Sequence, residues 1–301
     1  MHNGDAPVTV IGLGAMGAAM AEAFLKDGRP TTVWNRTAAK ADPLVDKGAQ
    51  RASTPAEALA AGELVVISQL DYPAMYDTFA GAEAALDGKV LVNLSSGTPQ
   101  ELREAAGWAA GHGARLVTGG IMVPPPGIGT PDSYVFYSGP EPALDTHRKT
   151  LETLGAVTYV GADPGLAMLY YQAMLMMFWS TLTSYFHAVA LVGSAGATAE
   201  DLRPFAARLY GQLTGDGPMG FLPILTREID AREYPGEQNS LHMQAVGAAH
   251  VVEAFRDAGL HTGMPGALRD LFAQADAAGH GAEGLTSVIE VIRDPQAASG
   301  R

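Results

Sequence analysis

The sequence predicts an α/β fold: an N-terminal domain with a doubly wound, mainly parallel sheet, a long interdomain helix and an all-α C-terminal domain. Two observations predict it. Short β-rich runs alternate with helical patterns in the first half of the 301 residues, and the strand signals stop after Gly165. We place the three segments at residues 1–163, 164–193 and 194–301.

The strands are predicted from runs of adjacent apolar residues, which are typical of a sheet that is buried on both faces. Helical patterns lie between these runs, and this alternation predicts parallel strands joined by right-handed crossovers. The predicted strands cover residues 8–11, 31–34, 64–68, 90–93 and 115–117, and the helices cover residues 16–26, 54–61 and 99–110.

Proline and glycine exclude a helix or a central strand over residues 123–131. Beyond Gly165 a helix without any charged residue runs to about residue 192, and residues 296–301 are predicted to fray. The other predicted elements are a strand at 134–137, a helix at 144–154, a strand at 157–160 and helices near 202–213, 223–228, 240–258 and 265–278.

The composition argues against several kinds of partner and site. A net charge of −13 would repel nucleic-acid phosphates and anionic membranes. The chain has no cysteine, which excludes disulfides and thiolate chemistry and is consistent with a cytoplasmic location. Its first residues lack the pattern of a signal peptide. Because no His-Glu-x-x-His arrangement is present, we expect no metal site.

The uncharged helix is long enough to span a bilayer. It carries Gln172, His187 and several Ser and Thr residues, and no basic flank marks an inner end. We therefore expect this helix to be buried in protein and not in a membrane.

A glycine pattern, Gly12-Leu13-Gly14-Ala15-Met16-Gly17, follows the first predicted strand and opens the first helix. In this context the first glycine permits a tight turn, the second lets the backbone approach a pyrophosphate, and the third lets the helix pack close to the sheet. The helix N-terminus offers free N–H groups to the phosphates. The pattern predicts a dinucleotide site in a Rossmann domain; a glycine-rich turn without a ligand is the alternative.

The end of the second predicted strand indicates which dinucleotide binds. An NAD site places Asp or Glu there to hold the ribose 2′-hydroxyl. This chain has Asn35, Arg36 and Thr37, followed by Lys40. The two cations would pair with a 2′-phosphate, which a carboxylate would repel. We therefore predict NADPH; a solvated surface position for Arg36 is the alternative.

Two further strand ends belong to the same crevice, because ligands of such sheets bind beyond the carboxyl ends of the strands. Leu70 follows one strand, and Asn93 and Ser95 lie at the end of the next. We predict that Asn93 and Ser95 hydrogen-bond the nicotinamide ribose or its carboxamide. A helix cap over residues 95–98 is the alternative.

Several segments together resemble a known family over nearly the whole chain. They are Gly12-Leu13-Gly14-Ala15-Met16-Gly17, Asn35-Arg36-Thr37 with Lys40, Asn93-Leu94-Ser95-Ser96-Gly97-Thr98-Pro99, Ile121-Met122-Val123-Pro124-Pro125, Ile128-Gly129-Thr130-Pro131 and Leu169-Tyr170-Tyr171-Gln172. Their order is similar to that of the β-hydroxyacid dehydrogenase superfamily, and within it the chain resembles the imine reductases and reductive aminases.

The resemblance also separates two chemistries. Hydroxyacid dehydrogenases carry a lysine on the interdomain helix and a Ser-Gly-Gly turn for the substrate carboxylate. This chain has no Lys or Arg between Lys149 and Arg203, and Met122-Val123-Pro124-Pro125 replaces the turn. Oxidising an alcohol needs a base, and an anionic substrate needs a cation. Imine reductases carry Asp or Tyr in place of that lysine, and Tyr171 matches the position.

The resemblance implies hydride transfer from NADPH to the carbon of a C=N bond, with Tyr171 as the donor or orienting group for the nitrogen. Two alternatives stay open for this residue. Tyr171 could be a core aromatic residue, or its neighbour Tyr170, about 100° away around a helix, could take the role.

The family also implies a substrate pocket lined by Val123, Trp179, Met243 and Gln244. Many members have Tyr at the position of Trp179, and in reductive aminases that Tyr is important, so the Trp argues against efficient reductive amination. Packing in the core is the alternative for Trp179. Tyr in place of Asp at position 171 loosely accompanies S-selective reduction of cyclic imines.

Family members form intertwined homodimers, with the active site between the Rossmann domain of one subunit and the helical domain of the other. The uncharged helix fits such an assembly, because a small domain can hardly cover its whole circumference. Two other functions stay open: an NADP-dependent β-hydroxyacid dehydrogenase, against which the missing lysine argues, and an NADP(H)-binding sensor without catalytic activity.

Overall fold

The computed structural model describes residues 6–294. The segment tested for a signal peptide lies mostly outside these residues, and the predicted frayed tail lies wholly outside them. The chain divides into two compact units, Met1–Met177 and Phe178–Arg301, and the division falls inside a long helix. The boundaries that the sequence predicts at 163/164 and 193/194 stay predictions.

The first unit is built on an eight-stranded sheet, which confirms the predicted fold class. The strands are β1 (Val8–Ile11), β2 (Thr31–Trp34), β3 (Gln50–Arg51), β4 (Leu64–Ile67), β5 (Val90–Asn93), β6 (Arg115–Ile121), β7 (Tyr134–Ser138) and β8 (Ala156–Gly161). Their order is β3-β2-β1-β4-β5-β6-β7-β8. Only β6 and β7 pair antiparallel among the described strands; the other neighbours are parallel.

Helices cover both faces of this sheet. They are α1 (Ala15–Lys26), α2 (Asp42–Val45), α3 (Pro55–Ala60), α4 (Tyr72–Phe79), α5 (Pro99–Gly111) and α6 (Glu141–Leu151). Val10 and Val66 pack with Phe24 of α1 in one buried layer, while Ile67 packs with Phe79 of α4 in the other. Burial on both faces explains why these strands have adjacent apolar residues and no alternation.

Three short elements of the first unit were not predicted from the sequence. Strand β3 has only two residues, both exposed, so it carries no apolar pattern. Helix α2 has four residues. Helix α4 does have a start signal, since Asp71 accepts a hydrogen bond from Ala74 N and a proline stands in the first turn.

The interdomain helix α7 (Leu166–Gly193) runs as predicted from the uncharged segment. The second unit continues with α8 (Ala199–Thr214), α9 (Phe221–Ala231), α10 (Leu241–Asp257), α11 (Gly263–Ala275) and α12 (Val288–Arg293). Within α7 only Ala167 and Met168 are buried in the single chain. Its length and composition would allow it to cross a membrane, and none of the residues in its most apolar stretch is buried in the single chain.

Candidate active site

The loop between β1 and α1 has the geometry of a pyrophosphate cradle. Gly12 has a φ of 93°, which L side chains rarely adopt. A Cβ on Gly17 would lie 1.8 Å from the Gly12 carbonyl oxygen, so the helix approaches the loop this closely only without a side chain. Gly14 faces open space and caps α1 without a side-chain hydrogen bond. The first N–H groups of α1 are therefore available to an anion.

A cleft of about 700 Å³ lies beside this loop. It is at the carboxyl ends of β1, β2 and β4, where the strand order reverses, which is the usual position of a dinucleotide in such sheets. The predicted residues that line it are Gly12, Leu13, Gly14, Ala15, Met16, Asn35, Arg36, Thr37, Lys40 and Leu70.

Asn35 holds the glycine loop against the end of β2. Its Oδ1 accepts a hydrogen bond from Leu13 N at 2.9 Å, and its Nδ2 donates to the Thr37 carbonyl oxygen at 3.0 Å. Arg36 and Lys40 are exposed, and neither forms an ion pair with another described residue. The cleft therefore presents two available cations beside the loop, and its residues fit a phosphorylated dinucleotide.

A hydrogen-bond network ties the ends of β4 and β5 together. Gln69 N donates to Ser95 Oγ at 3.0 Å, and Ser95 N donates to Asn93 Oδ1 at 2.9 Å. Asn93 is fully buried, and its Nδ2 donates to the Met75 sulfur at 3.3 Å. Each polar atom of the Asn93 amide makes one hydrogen bond within the protein and can make a second, so contacts of Asn93 and Ser95 with the cofactor stay predictions.

Gln69 is a functional candidate that lies at a predicted strand end of the crevice but has no role predicted from the sequence. Its Nε2 donates to Thr78 Oγ1 at 2.7 Å, while its Oε1 is buried without a hydrogen-bond partner among the described residues. A buried acceptor of this kind is usually satisfied by a ligand or water. Leu70, which the sequence placed at the cofactor, is the exposed neighbour of Gln69 in the same cleft.

Tyr171 lines a second cavity of about 190 Å³, which shares Met16, Ser68 and Gln69 with the nucleotide cleft. Ser95 lines this cavity too. The side chain of Tyr171 therefore lies at the end of the cleft where β4, β5 and β6 end. No lysine or arginine is among the described residues that line this cavity.

Gly120 of β6 determines how closely α7 approaches the sheet at this point. A Cβ there would lie 2.7 Å from Tyr171 Cβ and 2.8 Å from its Cγ. Gly120 is not among the predicted site residues, although the pair Gly119-Gly120 near the end of a strand is a signal of close approach.

Tyr170 has different surroundings. Its ring packs against Phe136 with the ring centroids 5.4 Å apart, and about half of the residue is exposed. It does not line the cavity that contains Tyr171. Of the two tyrosines, the geometry favours Tyr171 as the residue that faces a ligand.

The predicted substrate-pocket residues are divided between the two units of the chain. Val123 packs against the hydrophobic core of the first unit and does not line the Tyr171 cavity. Trp179 and Met243 belong to the second unit, and each is more than half exposed. Gln244, also in the second unit, donates from Nε2 to Asn239 Oδ1. Their role in a pocket stays a prediction.

Both parts of the chain match described protein families. Residues 163–294 match the NADPH-dependent reductive aminase-like, C-terminal domain, and residues 7–161 match the NAD binding domain of 6-phosphogluconate dehydrogenase. The chain is 36% identical to an NADPH-dependent reductive aminase of Aspergillus oryzae over 290 residues, which cover 95% of this chain and 97% of the relative.

Solved structures of similar proteins share the fold over almost the full length. An imine reductase of Streptomyces aurantiacus is 45% identical with a TM-score of 0.90, and the match covers 95% of this chain and 99% of that one. A reductive aminase of Aspergillus terreus, in complex with NADPH4, cyclohexanone and allyl amine, is 37% identical with a TM-score of 0.88. That match covers 96% of this chain and 100% of the other.

Proposed function

This chain belongs to the family of NADPH-dependent reductive aminases and imine reductases, and from that membership we propose that it reduces the C=N bond of cyclic imines and iminium ions to amines. The observation that supports this substrate class is the position of Tyr171. It is a phenol in the cavity beside the nucleotide cleft, on a helix without any charged residue. A carboxylated alcohol would meet neither a cation nor a basic side chain from that helix.

NADPH supplies the hydride that the substrate carbon accepts. The free N–H groups at the start of α1 bind the pyrophosphate, and Gly14 leaves the space that it needs. Arg36 and Lys40 pair with the 2′-phosphate, with Thr37 as a hydroxyl donor. Ser95 orients the nicotinamide end of the molecule.

Tyr171 acts on the substrate nitrogen, directly or through a water. An iminium carbon is more electrophilic than the carbon of a neutral imine, so a donor that hydrogen-bonds or protonates the nitrogen lowers the barrier to hydride transfer. A tyrosine hydroxyl can both donate and accept a hydrogen bond. A basic imine that arrives already protonated needs only to be oriented.

The Tyr171 cavity has both apolar and polar lining residues. The apolar ones include Leu94, Ile121 and Met168, and the polar ones besides Tyr171 are Ser68, Gln69, Ser95 and Ser96. We propose that Val123, Trp179, Met243 and Gln244 complete the pocket and that the product of a 2-substituted cyclic imine is the S amine. A cytoplasmic location stays a prediction of the composition.

The exposed apolar side chains of α7 support an intertwined homodimer. An uncharged helix with so much exposed apolar surface is unusual for a monomer, and obligate dimer interfaces resemble a protein core cut in half. A second copy of the chain would bury this surface. The large apolar residues of α7 that are exposed in the single chain are Leu169, Tyr170, Met176, Met177, Phe178, Trp179, Leu182 and Phe186.

Two assays run side by side test the substrate class. One follows NADPH consumption with 2-methyl-1-pyrroline, and the other follows NADP⁺ reduction with 3-hydroxyisobutyrate. We expect turnover of the imine, with the S amine in excess by chiral analysis, and no measurable oxidation of the hydroxyacid. Hydroxyacid oxidation without imine turnover would contradict the proposal, and tight NADPH binding without turnover of either compound would indicate a sensor.

A further inference from the structure

A buried pair of hydroxyl groups holds the segment that leads into α7. Thr118 of β6 and Ser138 of β7 are paired across the antiparallel strands, and both are fully buried. Thr118 Oγ1 donates to the Pro164 carbonyl oxygen at 2.6 Å, and Ser138 Oγ lies 3.0 Å from the same oxygen. The carbonyl just before the helix therefore lies within hydrogen-bonding distance of two buried hydroxyl groups of the sheet.

Ser138 also binds the first turn of α7. Its Oγ accepts a hydrogen bond from Ala167 N at 2.9 Å. The first N–H groups of a helix have no partner within the helix, so this bond satisfies a group that burial would otherwise leave unpaired. Ser138 thus bonds to a carbonyl before the helix and to an N–H inside it.

A second attachment lies at the surface. Arg103 of α5 donates to Asp163 in a bidentate ion pair, with nitrogen–oxygen distances of 2.9 and 2.8 Å. Asp163 Oδ1 also accepts a hydrogen bond from Gly165 N at 2.9 Å. The Arg103 guanidinium and this N–H hold the pKa of the Asp163 carboxyl below its ordinary value. Because the ion pair is exposed, we expect it to orient the segment before α7 more than it stabilises the fold.

The same strand that anchors the helix also lies beneath Tyr171. Thr118 and Gly120 are two residues apart on β6 and therefore lie on the same face of the sheet. Ala167 and Tyr171 are four residues apart on α7 and therefore lie on the same face of the helix. Gly120 leaves no room beneath the Tyr171 ring. A displacement of α7 at Ala167 would therefore also displace the phenol of Tyr171, which lies one helical turn further on.

We infer that Thr118 and Ser138 are positioning residues for the reduction: they fix the start of α7 so that the Tyr171 hydroxyl points into its cavity. They do not line that cavity themselves. The inference rests on the proposed role of Tyr171 as donor or orienting group. It predicts that these hydroxyls affect turnover only through Tyr171.

Two substitutions of Thr118 separate its hydroxyl from its shape. Thr118→Val keeps the volume and removes the hydroxyl, whereas Thr118→Ser keeps the hydroxyl. With 2-methyl-1-pyrroline we expect Thr118→Val to lower kcat about ten- to hundred-fold, since a misplacement of about 1 Å can have such an effect. The Kd for NADPH should change by less than about twofold, because Thr118 does not line the nucleotide cleft. Thr118→Ser should restore most of kcat.

A double substitution tests whether Thr118 acts through Tyr171. In a Tyr171→Phe background, Thr118→Val should lower kcat no further, because the effects of substituting residues that act as a unit do not add. A loss of the same size in both backgrounds would overturn the inference, as would a normal kcat for Thr118→Val while Tyr171→Phe is impaired. Arg103→Ala, at the exposed attachment, gives a second variant that should fold and should show a smaller loss of the same kind.

A crystal structure of Thr118→Val separates failure of this inference from failure of the proposed function. We expect the Tyr171 hydroxyl oxygen to move by more than about 0.5 Å, the tolerance of a catalytic group. If that oxygen keeps its position, the inference is wrong whatever the kinetics. If it moves but Tyr171→Phe retains full turnover, the positioning is correct and the proposed role of Tyr171 is wrong.

Discussion

Arg36 and Lys40 stand at the end of β2 as exposed cations without an ion-pair partner among the described residues. Asn35, between them and the glycine loop, uses both polar atoms to hold the backbone. We therefore expect the charged residues, and not the amide, to discriminate between NADPH and NADH.

Replacing Arg36 with Ala should weaken NADPH binding about ten- to hundred-fold and leave NADH binding nearly unchanged, because only NADPH has the 2′-phosphate. Fluorescence titration of both nucleotides measures the ratio of the two Kd values. Lys47→Ala is the matched control, because Lys47 pairs with Glu22 at the surface and does not line the cleft. An unchanged ratio for Arg36→Ala would show that this residue is a solvated surface cation.

His147 is a buried titratable residue away from the candidate active site. Its Nε2 has no hydrogen-bond partner among the described residues and lies 3.7 Å from Glu63 Oε1. Glu63 in turn pairs with Arg115 at 2.8 Å. Burial lowers the pKa of His147 below its ordinary value, and the nearby Glu63 carboxylate opposes that effect only in part. The imidazole is therefore neutral in the folded protein at pH 7.

This lowered pKa predicts a loss of stability in mild acid. Below about pH 6.5 the unfolded chain takes up a proton at His147 more readily than the folded chain does. The free energy of unfolding therefore decreases as the pH is lowered. The effect levels off below the lowered pKa of the folded state. In urea titrations from pH 7.5 to 5, His147→Gln should lose less stability than the unsubstituted protein. If the free energies of unfolding of the two proteins decrease in parallel as the pH is lowered, groups other than His147 cause the acid sensitivity.

At the scale of secondary-structure elements, Gly120 of β6 lets α7 lie close to the sheet beside the Tyr171 cavity. Gly120→Ala would put a Cβ 2.7 to 2.9 Å from three atoms of Tyr171, so the helix or the ring must move. We expect kcat to fall more than KM changes, and stability to fall by about 1–3 kcal/mol through overpacking. The measurements are steady-state kinetics and urea unfolding.

The control for Gly120→Ala is Gly107→Ala in α5, where a Cβ would meet no atom within 4 Å. That substitution should leave kcat unchanged and stabilise the protein by about 0.5–1 kcal/mol, because alanine favours a helix. If both variants keep full turnover, the packing of Tyr171 on Gly120 does not govern catalysis.

Elements with strong local causes were predictable from the sequence. The glycine loop, the buried strands β1, β4 and β5 and the uncharged helix α7 each carry a strong pattern in their own residues. The two-residue strand β3 depends on pairing with β2 and has no pattern of its own. Strand position alone likewise could not show that the Asn93 side chain turns into the protein, since that depends on Met75 and Ser95.

At the scale of the whole molecule, the apolar surface of α7 is the feature that a single chain does not explain. Light scattering at micromolar concentration, without detergent, should give the mass of a dimer. Phe186→Asp, at a residue that is 61% exposed, should shift the population to monomers, because a charge cannot be buried unpaired in the interface. A monomeric unsubstituted protein would rule out the proposed homodimer.

We propose that the chemistry of the molecule rests on Tyr171, a phenol on a helix without any charged residue. Turnover of 2-methyl-1-pyrroline by Tyr171→Phe between pH 6 and 9 tests that role most directly. We expect kcat to fall about 10²- to 10⁴-fold at high pH, where the imine arrives unprotonated, and less at low pH, while the Kd for NADPH stays the same. Full turnover by Tyr171→Phe across the whole range would contradict the role of Tyr171.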